Sequence, residues 1–352
     1  MFSDIIVKPT LVVLKRKAEN NLLKMIDKAR RSGVIFRPHF KTHQSKEIGE
    51  LFRKHGIQKI TVSSVDMARF FAEDGWNDIT IAFPVNIREW QAIDELAGNI
   101  NLNLLTESVE VTEFLIQHLT HGVRFFIKID TGYHRTGLPA GSPETDLIIQ
   151  KINRSDKHSF AGFLTHAGHN YSAKGKQEIL SNMAYAARQL QSLKTRYPDS
   201  IISYGDTPSC SMAAQCEGFD EIRPGNFIYY DVMQYHIGSC ALDDIAVAAA
   251  CPVVAVHPER NELVIYGGAV HLSKETIEAD HHFKLFGYVV RFTENGWTEP
   301  LPGAYVSSLS QEHGIIKMPA DLIKNYRPGD LIGVLPVHSC LTANLLRKPL
   351  II

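Results

Sequence analysis

The chain has 352 residues, 37 Lys+Arg against 38 Asp+Glu, a formal net charge of −1, and 44% hydrophobic residues. That composition belongs to an ordinary globular protein, long enough for one large domain and a smaller one. The charge balance argues against a nucleic-acid binder or a membrane-surface protein, which usually carry a basic excess; a small anionic ligand held by a local field remains open.

The five cysteines, Cys210, Cys216, Cys240, Cys251 and Cys340, are odd in number and contain no CxxC pair. A disulfide framework or zinc ribbon is therefore not expected, and a reducing compartment is the simpler reading. The N-terminus lacks the basic, apolar, small-residue order of a signal peptide. The longest apolar run, 245–256, is too short to span a bilayer and contains Pro252. The chain reads as cytoplasmic.

In chain order, short β-rich runs alternate with longer helical stretches. Strands are predicted at 34–39, 59–62, 78–82, 101–104, 123–129, 160–165, 201–204 and 221–223. Helical spacing of apolar residues occupies 15–31, 45–54, 65–73 and 174–194. Ser64, Thr106 and Ser142 stand where helix caps belong. Eight strands, each followed by a helix, over about 200 residues predict a (β/α)8 TIM-type barrel. A doubly wound open sheet is the rival, but no GxGxxG follows the first strand. After about residue 240 long helical periods vanish, and strand-like runs are separated by Pro, Gly and Asn. The expected organisation is a barrel over 12–240 and a C-terminal all-β domain over 241–352, joined by the N-terminal segment 1–11.

The first strand ends in RPHFKTH. Lys41 thus sits where barrel enzymes place catalytic groups, and a lysine with a lowered pKa can form a Schiff base. By itself a solvated lysine is the simpler reading. His39 and His43 have an HxxxH spacing that ligates metal on a helix, which Pro38 argues against. The fifth strand leads into KIDTGYHRTG, where Arg135 suits either an anionic oxygen or plain solvent. The sixth ends in THAGHNY; the small residues around His166, His169 and Tyr171 let a flat ligand approach, and a hydrogen-bonded histidine pair at the barrel rim is the alternative. The seventh and eighth strands end in GDTPS and RPGN. Thr207, Gly225 and Asn226 supply donors in the two loops where barrels commonly bind phosphate. Near the C-terminus, LPVHSC holds His338 and Cys340, an HxC pair that would face one side of a strand. Imidazole plus thiolate suits zinc; a core cysteine beside a rim histidine is the other reading.

RPHFKTH, DTGYHRTG, THAGHNY, GDTPS, RPGN, SQEHG and PVHSC occur in this order, and nearly the whole chain resembles the metal-activated D-serine dehydratase and D-threonine aldolase group of pyridoxal-phosphate enzymes, with their alanine-racemase-like fold. The resemblance implies that Lys41 holds pyridoxal 5′-phosphate as a Schiff base. It implies that Arg135 contacts the ring hydroxyl, that His166 and Tyr171 lie against the cofactor, and that Thr207, Gly225 and Asn226 hold the phosphate. It further implies that His338 and Cys340 bind zinc or another divalent metal. The dehydratase branch shows HxC where the aldolase branch looks more like HxD, so Cys340 points to elimination of the β-hydroxyl from a small D-amino acid, giving a 2-oxo acid and ammonia. Retro-aldol cleavage and racemisation are the alternatives. Some dehydratases carry an aromatic residue where this chain has Leu164, which leaves the partner of the ring nitrogen open. A homodimer, with neither nucleic acid nor membrane as partner, is implied by the resemblance and the charge balance.

Overall fold

The computed structural model describes residues 2–279 and 283–352. The chain divides into two compact units, one of Leu23–Lys41 and Lys46–Gly225, the other of Met1–Leu22, Thr42–Ser45 and Asn226–Ile352.

The first of these units is built on eight parallel strands. Their spatial order is Ile35–Phe36, Glu221–Ile222, Ile201–Gly205, Ser159–His166, Arg124–Lys128, Asn101–Thr106, Asp78–Pro84 and Lys59–Val62. Strands Asn101–Thr106 and Ser159–His166 are buried over most of their length, as parallel strands covered by helices must be. The barrel is nearly closed. Its seam, between Ile35–Phe36 and Lys59–Val62, is the single bridge of His39 with Thr61, flanked by Thr61 N donating to the Pro38 carbonyl (2.9 Å) and Phe40 N donating to the Thr61 carbonyl (2.8 Å). The strand expected over 34–39 contracts to two residues because Pro38 has no N–H for a ladder. Its direction is nevertheless kept by Arg37 N to the Ile222 carbonyl (3.0 Å) and His39 N to the Pro224 carbonyl (2.9 Å).

Arg37 is 1% exposed and pairs with Glu221 (2.7 Å) and Asp78 (2.6 Å), which ties three strands together within the barrel. Among the expected caps, Ser64 accepts from Met67 N. Thr106 does not cap: Ser108 does, and the Thr106 hydroxyl pairs with that of Thr112 at 2.8 Å. Helix Glu144–Asn153 begins after Pro143, with Ser142 Oγ accepting from Glu144 N at 3.3 Å.

The other unit is a mainly antiparallel sheet whose strand Val247–His257 pairs on successive stretches with Glu262–Tyr266, Leu331–Pro336 and Thr10–Val13. Strands His313–Lys317, Tyr305–Leu309 and Gly287–Val290 close the circuit, giving an all-β barrel. Its core is aliphatic, with Val253, Leu263, Ile265, Val289, Val306, Ile316, Ile332 and Val334 at 1% exposure or less. One element departs from the expectation. His338 and Cys340 do not lie on a strand: Pro336 ends the strand, and Ser339–Leu346 is a helix. Leu and Ala in LTANLL favour that helix, and its buried face is Ser339, Thr342 and Ala343, at i, i+3 and i+4. Among the described residues no helix is long and apolar enough to cross a membrane.

Candidate active site

Lys41 belongs to a turn that follows the bridge residue His39. The turn is anchored from inside: the ring of Phe40, fully buried, packs at 4.8–5.0 Å from the rings of Phe52, Phe71 and Trp76. The aromatic cluster turns Phe40 inward and leaves Lys41 exposed at the end of a barrel strand. The backbone N–H of Lys41 approaches His39 Nδ1 at 3.4 Å. No helix runs through 39–43, so the HxxxH spacing has no ligating geometry.

Around the C-terminal ends of the neighbouring strands stands a group of cations. Lys128 ends its strand at 5% exposure. Burial, reinforced by the charges of Arg223 and Arg135, lowers its ammonium pKa to about 7. Arg223, 4% exposed, donates from Nε to Ser203 Oγ (2.7 Å) and from a terminal nitrogen to the Thr165 carbonyl. Arg135 is exposed and lies 4.7 Å over the Tyr133 ring. His166 ends strand Ser159–His166 with Nδ1 2.6 Å from the Gly205 carbonyl. A carbonyl only accepts, so Nδ1 carries the proton and Nε2 is left as an acceptor. Burial, together with the charges of Lys41 and Lys128, pushes this imidazole well below its ordinary range.

The seventh and eighth loops are tied to one another. Gly225 N donates to Thr207 Oγ1 at 3.3 Å, and Thr207 N lies 3.5 Å from the Tyr171 hydroxyl. Thr207 opens helix Thr207–Met212, whose cap is Asp206, a buried carboxylate accepting from Ser209 N (2.6 Å), Tyr204 (2.6 Å) and Asn170 (3.2 Å). His169 is not paired with His166; it lines a separate polar cavity of about 470 Å3 with Asp130, His134, Asn182 and Tyr185.

In the β unit, His338 is the cap residue of helix Ser339–Leu346, and Cys340 lies in its first turn. The two side chains hydrogen-bond. Burial would depress the His338 imidazole, but that bond and the negative charges of Cys340, Asp231 and Glu275 outweigh it and raise the pKa to about 9. Cys340 Sγ also lies 3.2 Å from Thr42 Oγ1 and 3.5 Å from Asn226 Nδ2. A sulfur facing an imidazole, a hydroxyl and an amide N–H suits the thiolate form that ligates metal. The Asn226 amide donates mainly to Asp231 Oδ2 (2.6 Å) and Ser339 Oγ (3.1 Å), and its Oδ1 is buried with no partner. The Asn226 side-chain amide is therefore committed to Asp231 and Ser339.

These residues fit the implied groups. Four cations, Lys41, Lys128, Arg135 and Arg223, suit an anionic cofactor, and Thr207 and Gly225 add neutral donors. One imidazole and one sulfur suit zinc with positions left open; among the described residues no group of three or more His, Cys, Asp and Glu side chains is arranged to hold a metal. Sequence reasoning missed Lys128, Arg223, Asp231 and Thr42. A lysine closing the apolar run RFFIK was a readable signal, as Lys128 must end a strand inside the barrel mouth. Nothing local marks Asp231 or Thr42.

An eight-stranded parallel barrel with a strand-end lysine, followed by an antiparallel β barrel, defines the alanine-racemase-like class of fold. Residues 15–232 match the model for the alanine racemase N-terminal domain, and residues 246–352 match the one described as "Putative serine dehydratase domain". The chain belongs to this family. It is 31% identical to the D-serine dehydratase of Dictyostelium discoideum over 95% of its own length and 90% of that protein's. It is 26% identical to the D-threo-3-hydroxyaspartate dehydratase of Delftia sp. (strain HT23), covering 95% and 91%. The solved structure of the Delftia dehydratase has the same fold, with a TM-score of 0.89 at 24% identity and coverage of 99% and 95%. That of D-threonine aldolase from Filomicrobium marinum does too, with a TM-score of 0.80 at 19% identity and coverage of 97% and 90%.

Proposed function

We propose that this protein is a pyridoxal-phosphate- and zinc-dependent lyase acting on D-β-hydroxy amino acids, of D-serine dehydratase type, releasing a 2-oxo acid and ammonia. The observation that carries this reading is Cys340: a sulfur beside His338 at a helix start, in contact with the Thr42 hydroxyl and an amide N–H of Asn226. An aldolase-like site is expected to offer a carboxylate there. Two relatives spanning 95% of the chain, named D-serine dehydratase and D-threo-3-hydroxyaspartate dehydratase, agree with it.

When bound, the cofactor supplies an electron sink for charge developing at Cα, and the metal a Lewis acid for the departing β-oxygen. The chain supplies the rest. Lys41 Nζ anchors the cofactor and, once displaced by substrate, is the amine that takes the Cα proton. Thr207 Oγ1 and the main-chain N–H groups of the seventh and eighth loops hold the phosphate. Arg135, Arg223 and Lys128 keep the barrel mouth positive, which favours the anionic cofactor and the substrate carboxylate. His166, neutral, offers Nε2 as an acceptor. Tyr171 stands beside the phosphate loop. His338 and Cys340 hold the metal. The working assembly is taken to be a homodimer in the cytoplasm, which light scattering of purified protein checks for assembly.

The test is product analysis on D-serine and D-threo-3-hydroxyaspartate, with and without chelator. The reading expects 2-oxo acid and ammonia in equal amounts and their loss on metal removal. Glycine and an aldehyde from D-threonine would give the aldolase reading, which the likeness to D-threonine aldolase keeps in view; full activity in metal-free protein would remove zinc.

A further inference from the structure

Asp231 is 1% exposed, and its carboxylate is fully committed. Oδ1 accepts from Gln234 N (2.9 Å) and so caps helix Val232–His236. Capping that short helix needs one oxygen. The second, Oδ2, accepts three further hydrogen bonds, from Asn226 Nδ2 (2.6 Å), Ser339 N (2.9 Å) and Ser339 Oγ (3.2 Å). Ser339 is the residue between His338 and Cys340, and Asn226 directly follows the last barrel loop. The ring closes through Asn226 itself, whose amide also meets Ser339 Oγ (3.1 Å) and Cys340 Sγ (3.5 Å).

A buried carboxylate with several well-aligned donors is stiff. Moving any one donor strands a charged acceptor, and leaving such a group unmade costs more than a typical hydrogen bond is worth. A ligand that fixes Cys340 therefore fixes Ser339, Asp231 and the Asn226 amide together. A ligand that fixes the loop at Asn226 does the same in reverse. Outer-sphere partners of this kind set the orientation of metal ligands and commonly matter for affinity.

We propose that Asp231 is a positioning residue that couples the loop at Asn226 to the His338–Cys340 pair, so that cofactor and metal bind cooperatively. The inference rests on the function proposed above, in which that loop takes the cofactor phosphate and that pair takes zinc. Cooperativity here is a coupling free energy and is reciprocal: zinc must raise cofactor affinity by the same factor by which the cofactor raises zinc affinity.

The experiment uses the full chain stripped of both groups. Pyridoxal 5′-phosphate is titrated with and without saturating Zn2+, following the visible band of its linkage to lysine. Zn2+ is then titrated with and without the cofactor in competition with a chromophoric chelator. Wild-type protein is expected to show the same ratio from both directions, at least about fivefold. Asp231→Asn swaps one acceptor oxygen for a donor; it is expected to bind each ligand while the ratio falls close to one. Ser339→Ala, which removes only the hydroxyl, lowers the ratio less and serves if Asp231→Asn does not fold. A ratio near one in wild type overturns the inference alone, because both groups still bind. An unchanged ratio in the variants also overturns it, even with a lower melting temperature, since that is a purely structural role. Wild-type protein that takes up no zinc overturns the functional reading and this inference together.

Discussion

His166 Nδ1 and the Gly205 carbonyl oxygen are 2.6 Å apart, joining the ends of the sixth and seventh barrel strands. The bond decides the tautomer, and burial keeps the ring neutral. Asn at this position keeps an N–H donor near the site of Nδ1, whereas Ala leaves the carbonyl unpaired. His166→Asn is expected to retain stability within about 1 kcal/mol, and His166→Ala to lose about 1–3 kcal/mol more than Asn does. Urea denaturation of both variants checks the order; equal losses would show that the hydrogen bond contributes nothing.

Lys128 sets a pH dependence whose sign is opposite to that of an ordinary paired lysine. Its folded pKa of about 7 lies below the ordinary lysine value of 10.5. Between those values the unfolded chain binds the extra proton, so stability rises with pH across that window, and below it the folded state carries the full cost of a buried charge. In cofactor-free protein, Lys128→Met is expected to raise the melting temperature at pH 6 by at least about 3 °C more than at pH 9. Thermal melts at the two pH values measure the difference; no difference would place the ammonium in water.

Phe40 is the inward neighbour of the exposed Lys41, packed against Phe52, Phe71 and Trp76. Phe40→Ala opens a cavity under the turn and is expected to cost about 3–5 kcal/mol. A guanidinium titration gives the stability, and cofactor affinity is expected to fall with it because the turn carrying Lys41 loses its anchor. Retained affinity at reduced stability would show that the turn holds itself.

Lys41→Ala is expected to abolish the visible band of the bound cofactor and to lower turnover by at least about 10²- to 10⁴-fold, the range a positioned base supplies. Reduction with borohydride followed by peptide mass spectrometry on the wild type is expected to place the cofactor on Lys41; a label on Lys128 instead would move the anchoring role there.

Cys340→Ser keeps shape and a hydroxyl but replaces the soft ligand. It is expected to lose bound zinc, measured by plasma emission, and at least about a hundredfold in 2-oxo acid formation, as several kcal/mol of Lewis-acid stabilisation disappear. Retention of both would leave the His338–Cys340 contact as an internal ion pair only.

The alternation of apolar strands and helices was legible from local pattern, because a parallel strand covered on both faces must be hydrophobic throughout, and the later switch to short strands announced the second unit. The lysine after the first strand and the HxC pair were legible as motifs, since neighbours two residues apart stay close in any conformation. Their setting was not. The pair looked like strand because alternation carries no information about a turn at Pro336, and it is instead the start of a helix.

What the sequence by itself determined is therefore the order of elements and the residue types at strand ends. Only the tertiary structure decided that Lys128 stands beside Arg223, and that Asp231 gathers Asn226 and Ser339. Lys128 and Arg223, and likewise Asp231 and Ser339, lie far apart along the chain, and their charge states depend on burial that only packing creates.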